Sequence, residues 1–340
     1  MRFGDTSNMP GRPAGRFMPW FVGVVGGCVL AGSATGQIFC TDFESPTFVG
    51  SGGGTTINGQ DSWFTPAVAG SIDGLVFTEG KNAFAIPRNP TGGNQFLGGR
   101  SGGATFVRAQ REGITFPDVT VITYDAVAAA YAGTLPTAQN LGSFSLAPEP
   151  NPAAPIIRTY IQLNTWVDLA AATTWNAGYL PYNALGVQAA QPGLFPGPEW
   201  QNLPIDTWFR FSTTLDFTLN RITSVSITNL SSGVTTTAEP VDWFLGGGQA
   251  SVLLRPTGVR FFVGGAAGNT MGYDNLCVGT PPGPECPCDW NDDDFLNSQD
   301  FFDFLSAFFA GEADFNADGF TNSQDFFDFL SCFFAPPTGC

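Results

Sequence analysis

The chain has no histidine and a single lysine, Lys81, among 340 residues. Without imidazole there is no Ser-His-Asp or Cys-His nucleophile and no histidine-bound zinc, and a lysine Schiff base is confined to Lys81. Basic residues are scarce altogether: 13 Lys and Arg face 29 Asp and Glu, a formal charge of −16. The segment from Glu285 to Cys340 holds 12 acidic residues and no basic one. A surface of that sign repels nucleic acid and anionic lipid and attracts cations. Nucleic-acid binding is excluded as a function.

Long apolar runs are also missing. The longest, Trp20 to Leu30, follows Arg2, Arg12 and Arg16 and ends in small residues, Ala31 to Gly36. It is shorter than the roughly 20 residues a membrane span needs and has the layout of an export signal. Residues 1–36 are therefore expected to be a signal peptide whose removal leaves a net charge of −18. No later segment is apolar enough to span a bilayer, and the mature protein is expected outside the cell or at its surface. Cys40, Cys277, Cys286, Cys288, Cys332 and Cys340 are an even set, and export makes disulfides the expectation for them.

From residue 37 to about 280 the chain reads as short β-strands. Thr105–Arg108, Val119–Tyr124, Ile156–Leu163, Trp208–Phe211, Ile222–Thr228, Val252–Arg255 and Val259–Val263 are rich in β-branched and aromatic residues. Gly, Pro, Asn and Ser clusters separate them, and Asn229–Gly233 reads as a hairpin loop. Ala126–Tyr131 is the one run whose alanines suggest a turn of helix. Some 240 residues of this kind suit one antiparallel sandwich. A Cys40–Cys277 disulfide would tie its first strand to its last and would contribute roughly 5 kcal/mol by closing so long a loop.

No carboxylate pair with catalytic spacing emerges. Glu112, Asp118 and Asp125 stand six and seven residues apart and read as solvated loop and strand ends, as do Asp206 and Asp216. Among the tryptophans, Trp63, Trp166, Trp208 and Trp243 are expected to fill the core. Trp175 and Trp200 lie among Gly, Pro and Asn, so they are the expected exposed rings, free to stack on a sugar. The Asp-Phe-Glu44 start, Ile57–Trp63 and the Tyr273-Asp-Asn-Leu finish resemble the concanavalin-like jelly rolls of secreted bacterial surface proteins. That resemblance implies a mainly β jelly-roll sandwich over residues 37–280 and a structural calcium shared by Glu44 and Asp274.

A Pro/Gly linker, 281–287, leads to a duplicated tail, 288–340. Numbered from its first Asp, copy one places Asp289, Asn291, Asp293, Phe295 (through its carbonyl), Asn297 and Asp300 at positions 1, 3, 5, 7, 9 and 12. Copy two places Asp314, Asn316, Asp318, Phe320, Asn322 and Asp325 at the same positions. Oxygen ligands at this spacing are what an EF-hand loop uses for Ca²⁺. Gly319 supplies the sharp turn at position 6 of copy two, where copy one has Asp294. Asn297–Asp300 and Asn322–Asp325 also read as helix capping boxes.

Each loop is followed by a helix, in which Phe301, Phe302, Phe304, Leu305, Phe308 and Phe309 span an arc of roughly 160°. The second helix repeats it from Phe326 to Phe334. Packed together, the helices hide most of this phenylalanine, and any left outside marks an interface. About 53 residues cannot build a sufficient apolar core alone, so calcium and disulfides are expected as staples. Cys286, Cys288, Cys332 and Cys340 allow three pairings, and the spacing does not choose among them.

This tail resembles a dockerin, the duplicated calcium module that attaches secreted polysaccharide-degrading proteins to cohesin scaffolds, in the variant that ends in Gly339-Cys340. The resemblance implies two Ca²⁺ ions, an α-helical module, and a cohesin-like or other surface scaffold protein as partner. It also implies contact through Ser298 and Gln299 or, equivalently, Ser323 and Gln324. For the front domain it leaves three roles: a non-catalytic carbohydrate-binding module for a polysaccharide, a glycoside hydrolase or lyase, or a structural surface protein.

Overall fold

The computed structural model describes residues 36–78, 82–129, 140–147, 166–171, 173–190, 192–249, 255–281, 286–291, 296–316 and 318–336. Residues 1–35, Lys81, the run Ile156–Leu163, and Asp293, Asp294, Phe295 and Cys340 lie outside the described residues, as does most of the 281–287 linker. In chain order the strands are β1 (Gln37–Thr41), β2 (Thr55–Thr56), β3 (Trp63–Phe64), β4 (Ser71–Asp73), β5 (Leu75–Thr78), β6 (Gln95–Arg100), β7 (Phe106–Glu112), β8 (Val119–Ala129) and β9 (Asn140–Ala147). They continue as β10 (Trp166–Ala171), β11 (Thr174–Gly178), β12 (Leu203–Pro204), β13 (Phe209–Asp216), β14 (Arg221–Asn229), β15 (Thr235–Ala238), β16 (Gly258–Val263) and β17 (Thr270–Gly279). Two helices follow, α1 (Ser298–Ala310) and α2 (Ser323–Phe334).

The chain is mainly β and antiparallel. A nine-stranded sheet runs β15-β14-β13-β8-β17-β6-β5-β2, with β1 beside β17. An eight-stranded sheet runs β12-β11-β10-β9-β16-β7-β3, with β4 joining β7 in the one parallel pairing between these strands. Period-2 alternation sets the faces: in β13, Phe209, Phe211, Thr213 and Leu215 are buried and their neighbours half-buried. The sheets meet through aromatic rings. Tyr124 of β8 stacks on Phe144 of β9 at 4.6 Å, and Tyr273 of β17 on Phe261 of β16 at 4.4 Å. The expected hairpin at Asn229–Gly233 joins β14 to β15, with Gly233 at φ 73°, a backbone angle glycine takes without penalty.

Alanine content misled at Ala126. The run through Ala129 is not helical but the end of β8, paired with β17 along its length and with β13 as far as Ala126. The ladder to β17 outweighs the weak helical preference of four residues. Ala126 and Ala128 face the inter-sheet core, whereas Val127 and Ala129 face outward into a second cluster with Phe77, Ile86, Phe96 and Trp208. The nine-stranded sheet is thus buried on both faces in this region.

β1 lies against the end of β17 with Cys40 opposite Cys277, and the two form the expected disulfide. Replacing both by serine should lower the unfolding free energy by about 5 kcal/mol. Urea titration of the double variant against the native chain measures this, and an unchanged midpoint would show that the bond constrains nothing.

Candidate functional site

Two places gather oxygen-rich side chains. The first lies on the outer face of the nine-stranded sheet, where β17 changes neighbours. Thr270–Tyr273 pair with β6, Leu276–Gly279 pair with β1, and the ladder to β8 skips between Asp274 and Cys277. Asn275 sits in this gap in the left-handed region, at φ 47°. Arg210, Asp125 and Asp274 stand in one row across β13, β8 and β17.

Asp125 is fully buried, which corrects the reading of it as a solvated strand end. The Arg210 guanidinium donates to both its oxygens, at 2.7 and 3.0 Å. Asn89 Nδ2 (3.0 Å), Asn275 Nδ2 (2.7 Å) and Thr91 Oγ1 (3.1 Å) donate as well. Asn89 Nδ2 also reaches Asp274 Oδ2 at 2.9 Å and so bridges two buried carboxylates. Glu112 and Asp118 fit their expected roles: Glu112 is half-buried and accepts from Gln110, and the exposed Asp118 pairs with Arg255.

Glu44 and Asp274, the resemblance-based pair, both meet the turn that leads into β6. Glu44 Oε1 accepts from the backbone N–H of Asn94 (2.5 Å) and Gln95 (2.6 Å). A Cβ on Gly92 would collide with Asp274 Oδ2, and one on Gly93 with Glu44 Oε1. The two glycines are what lets one turn approach both carboxylates.

Trp175 and Trp200 are not exposed. Both are fully buried, Trp175 against Phe209 and Phe211 with its Nε1 donating to the carbonyl of Pro204. Gly, Pro and Asn around a tryptophan mark where the chain bends, not which way the ring points. Trp63, Trp208 and Trp243 are core rings as expected. None of these five can stack on a sugar.

The second place is the tail. Asn297 and Asn322 cap α1 and α2, each accepting from the N–H two residues on, and Asp300 and Asp325 return a bond to the cap residue's N–H, completing both capping boxes. Asp300 and Asp325 are fully buried and turn back into their own loops. Asp300 Oδ1 accepts from Trp290 N and Asn291 N, and Asp325 Oδ1 from Asn316 N at 3.2 Å. Backbone N–H groups, that of Asn322 foremost, hold the Asp325 carboxyl below its ordinary pKa against the opposing pull of burial.

At the loop's other end, Asp314 accepts from Asp318 N (3.0 Å) and Gly319 N (2.7 Å), with Gly319 at φ 90°. Ser298, Gln299, Ser323 and Gln324 are all exposed in the first turn of their helices. Among the described residues, no three His, Cys, Asp or Glu side chains gather closely enough to hold a metal ion. Asp314, Asp318 and Asp325, the described acids of loop two, each accept from backbone N–H groups.

The helices pack around Phe304 and Phe329, whose rings stack at 3.9 Å and 3°. Trp290 and Phe315, at position 2 of the two loops, meet these rings edge-on. Of the three pairings left open, Cys288–Cys332 forms, tying the module's start to its second helix, and Cys286 is disulfide-bonded too.

No protein-family model matches the sequence, and no curated protein matches it. Several solved structures align with much of the chain at low similarity. The carbohydrate esterase vb_24B_21 of Shiga toxin-encoding bacteriophage phi24B aligns over 73% of this chain and 100% of its own, at 9% identity and TM-score 0.43. The K2 cleaved adhesin domain of Lys-gingipain aligns over 72% and 98%, at 12% identity and TM-score 0.30. The Lotus tetragonolobus seed lectin aligns over 66% and 95%, at 10% identity and TM-score 0.31. Among the described residues, no helix is long and apolar enough to cross a membrane.

The Asp125–Arg210 pair yields a ranked expectation. Arg210→Met strands a fully buried carboxylate without its cation and should cost about 3–5 kcal/mol. Asp125→Asn leaves a guanidinium that is 24% exposed and can reach water, and should cost less. Urea midpoints decide; the reverse order would mean that the carboxylate does not depend on Arg210.

Proposed function

We propose that this chain is an exported protein whose tail is a calcium-dependent docking module of the dockerin type, attaching it to a cohesin-like or other extracellular scaffold protein. The sandwich ahead of it is a non-catalytic module that binds carbohydrate or serves a structural role. One observation carries the tail reading: in copy two the loop is already curled on its own oxygens, with the first Asp taking the N–H groups of positions 5 and 6 and the last Asp reaching back to position 3.

Asp314, Asn316, Asp318, the Phe320 carbonyl, Asn322 and Asp325 would hold one Ca²⁺. Asp289, Asn291, Asn297 and Asp300, with Asp293 and Phe295, would hold the second. An all-oxygen set that includes Asn and a carbonyl suits this hard cation. Bound calcium would neutralise carboxylates that otherwise repel one another, coupling folding of the tail to the metal. A third ion between Glu44 and Asp274 is part of the same proposal, supported by the single glycine turn against which both carboxylates lie.

The non-catalytic reading of the sandwich rests on Asp125 and Asp274. These neighbouring acids are buried and tied to Arg210, Asn89 and Asn275 and to backbone, not facing a cleft as a hydrolytic pair must. With Trp175 and Trp200 in the core, a glycan contact in this domain requires other residues.

Calcium added to the chelator-treated full chain should raise its helical circular dichroism and its melting temperature, with calorimetric binding at two tail sites. Asp289→Ala with Asp314→Ala should remove both. A flat titration with an unchanged spectrum would rule out the calcium reading.

A further inference from the structure

The tail helices each carry one exposed stripe, and the two stripes are identical. Gln299, Phe302, Ser306 and Phe309 follow one another on α1 at steps of three, four and three residues, which puts them on a single face. Gln324, Phe327, Ser331 and Phe334 repeat the row on α2. The phenyl groups are out in solvent: Phe302 is 59% exposed, Phe309 83%, Phe327 60% and Phe334 76%. The remaining helix phenylalanines are buried or half-buried around the Phe304–Phe329 stack.

Polar groups on the stripe are already engaged. Ser306 Oγ donates to the Phe302 carbonyl at 2.9 Å and Ser331 Oγ to the Phe327 carbonyl at 2.8 Å, so the hydroxyl between each pair of rings is turned back onto its helix. Gln299 Nε2 donates to Asp303 Oδ1 at 2.8 Å and Gln324 Nε2 to Asp328 Oδ1 at 2.7 Å, which fixes the amide at the head of the row. Each stripe therefore presents a held polar head and two apolar rings.

The copies have drifted elsewhere. Within the loops they differ at Trp290/Phe315, Asp292/Ala317, Asp294/Gly319 and Leu296/Thr321. From Phe301 to Ala310 they differ only at Ala307/Cys332, where Cys332 bonds Cys288. Retention of four solvent-exposed phenylalanines cannot be credited to the module's own core, and large exposed apolar patches mark interaction sites.

Charge selects the occupant. With 12 acidic residues and no basic one from Glu285 onward, the tail repels a second copy of itself and an anionic lipid surface, and attracts a basic one. We propose that the docking face runs along these stripes, beyond the Ser-Gln pairs, and that it seats on a protein surface with two apolar pockets for the phenyl rings, rimmed by Lys and Arg. Either stripe alone suffices. The proposal rests on the tethering function above and adds the chemistry of the partner's surface.

The test uses the full, calcium-loaded chain carrying p-benzoylphenylalanine in place of Phe302 or Phe327, irradiated on the envelope of the producing cells. Mass spectrometry identifies the cross-linked peptide, and the protein module that contains it is then titrated with four chains: native, Phe302→Ser/Phe309→Ser, Phe327→Ser/Phe334→Ser, and all four changes together. Because the rings are exposed, circular dichroism should show every variant folded. Both probes should mark the same segment, flanked by Lys or Arg. Each paired variant should bind within about two- to threefold of native, while the quadruple variant should lose at least about 100-fold, and added NaCl should weaken native binding. Native-like binding by the quadruple variant, or cross-links to lipid or to a second copy of the chain, would overturn the stripe and leave tethering standing. Capture of no protein by any chain would overturn both.

Discussion

β17 is hydrogen-bonded along both edges, to β8 on one side and to β6 and then β1 on the other. The last strand of the sandwich thus lies inside a sheet in which Cys40 of β1 precedes its partner Cys277 by 237 residues. Until it docks, β6 and β8 have no common neighbour, Tyr273 cannot stack on Phe261, and Cys277 has no partner. Pairings this distant in sequence cost loop-closure entropy before they return contacts, which makes the fold slow to form. The change of neighbour along β17 also opens the break in the ladder that Asp274, Asn275 and Asp125 occupy. The buried polar cluster is a consequence of how the sheet is closed.

The tail meets a different constraint. Too few residues are present for an apolar core of ordinary size, and the solution is two copies of one unit related about the Phe304–Phe329 stack. Trp290 and Phe315 cover that stack from the two loops, and the Cys288–Cys332 bond closes the unit. Each loop's last Asp is buried while serving both the helix cap and the loop backbone, so the helix starts and the oxygen-rich loops are one hydrogen-bonded assembly. Anything that neutralises the loop carboxylates should therefore steady the helices and the exposed stripes they carry.

Features set by neighbours in sequence were legible before the structure. Strands at Trp208–Phe211 and Ile222–Thr228, the Asn229–Gly233 turn, both capping boxes and the opposition of Cys40 to Cys277 all follow from short-range pattern or from the sandwich's ends. Features that depend on distant partners were not. Asp125 looks like a solvated acid until Arg210, 85 residues away, and Asn275, 150 away, are brought to it. The only local hint was a charge between Tyr124 and the apolar Ala126–Ala129. Trp175 and Trp200 follow the same rule, because ring burial is set by sheet packing that the surrounding glycines do not encode. In the helices the apolar arc was read correctly, but its division into core rings and exposed rings depended on the crossing of α1 and α2.

The proposed tethering depends on calcium in the tail loops. Anomalous X-ray diffraction from crystals of the full chain grown with millimolar Ca²⁺ tests it most directly. One anomalous peak is expected in each loop, within about 2.3–2.6 Å of oxygens from the position 1, 3 and 5 side chains and the position 7 carbonyl. No peak at either loop, with Asp325 still bonded to the N–H groups of Asn316 and Asn322, would contradict it.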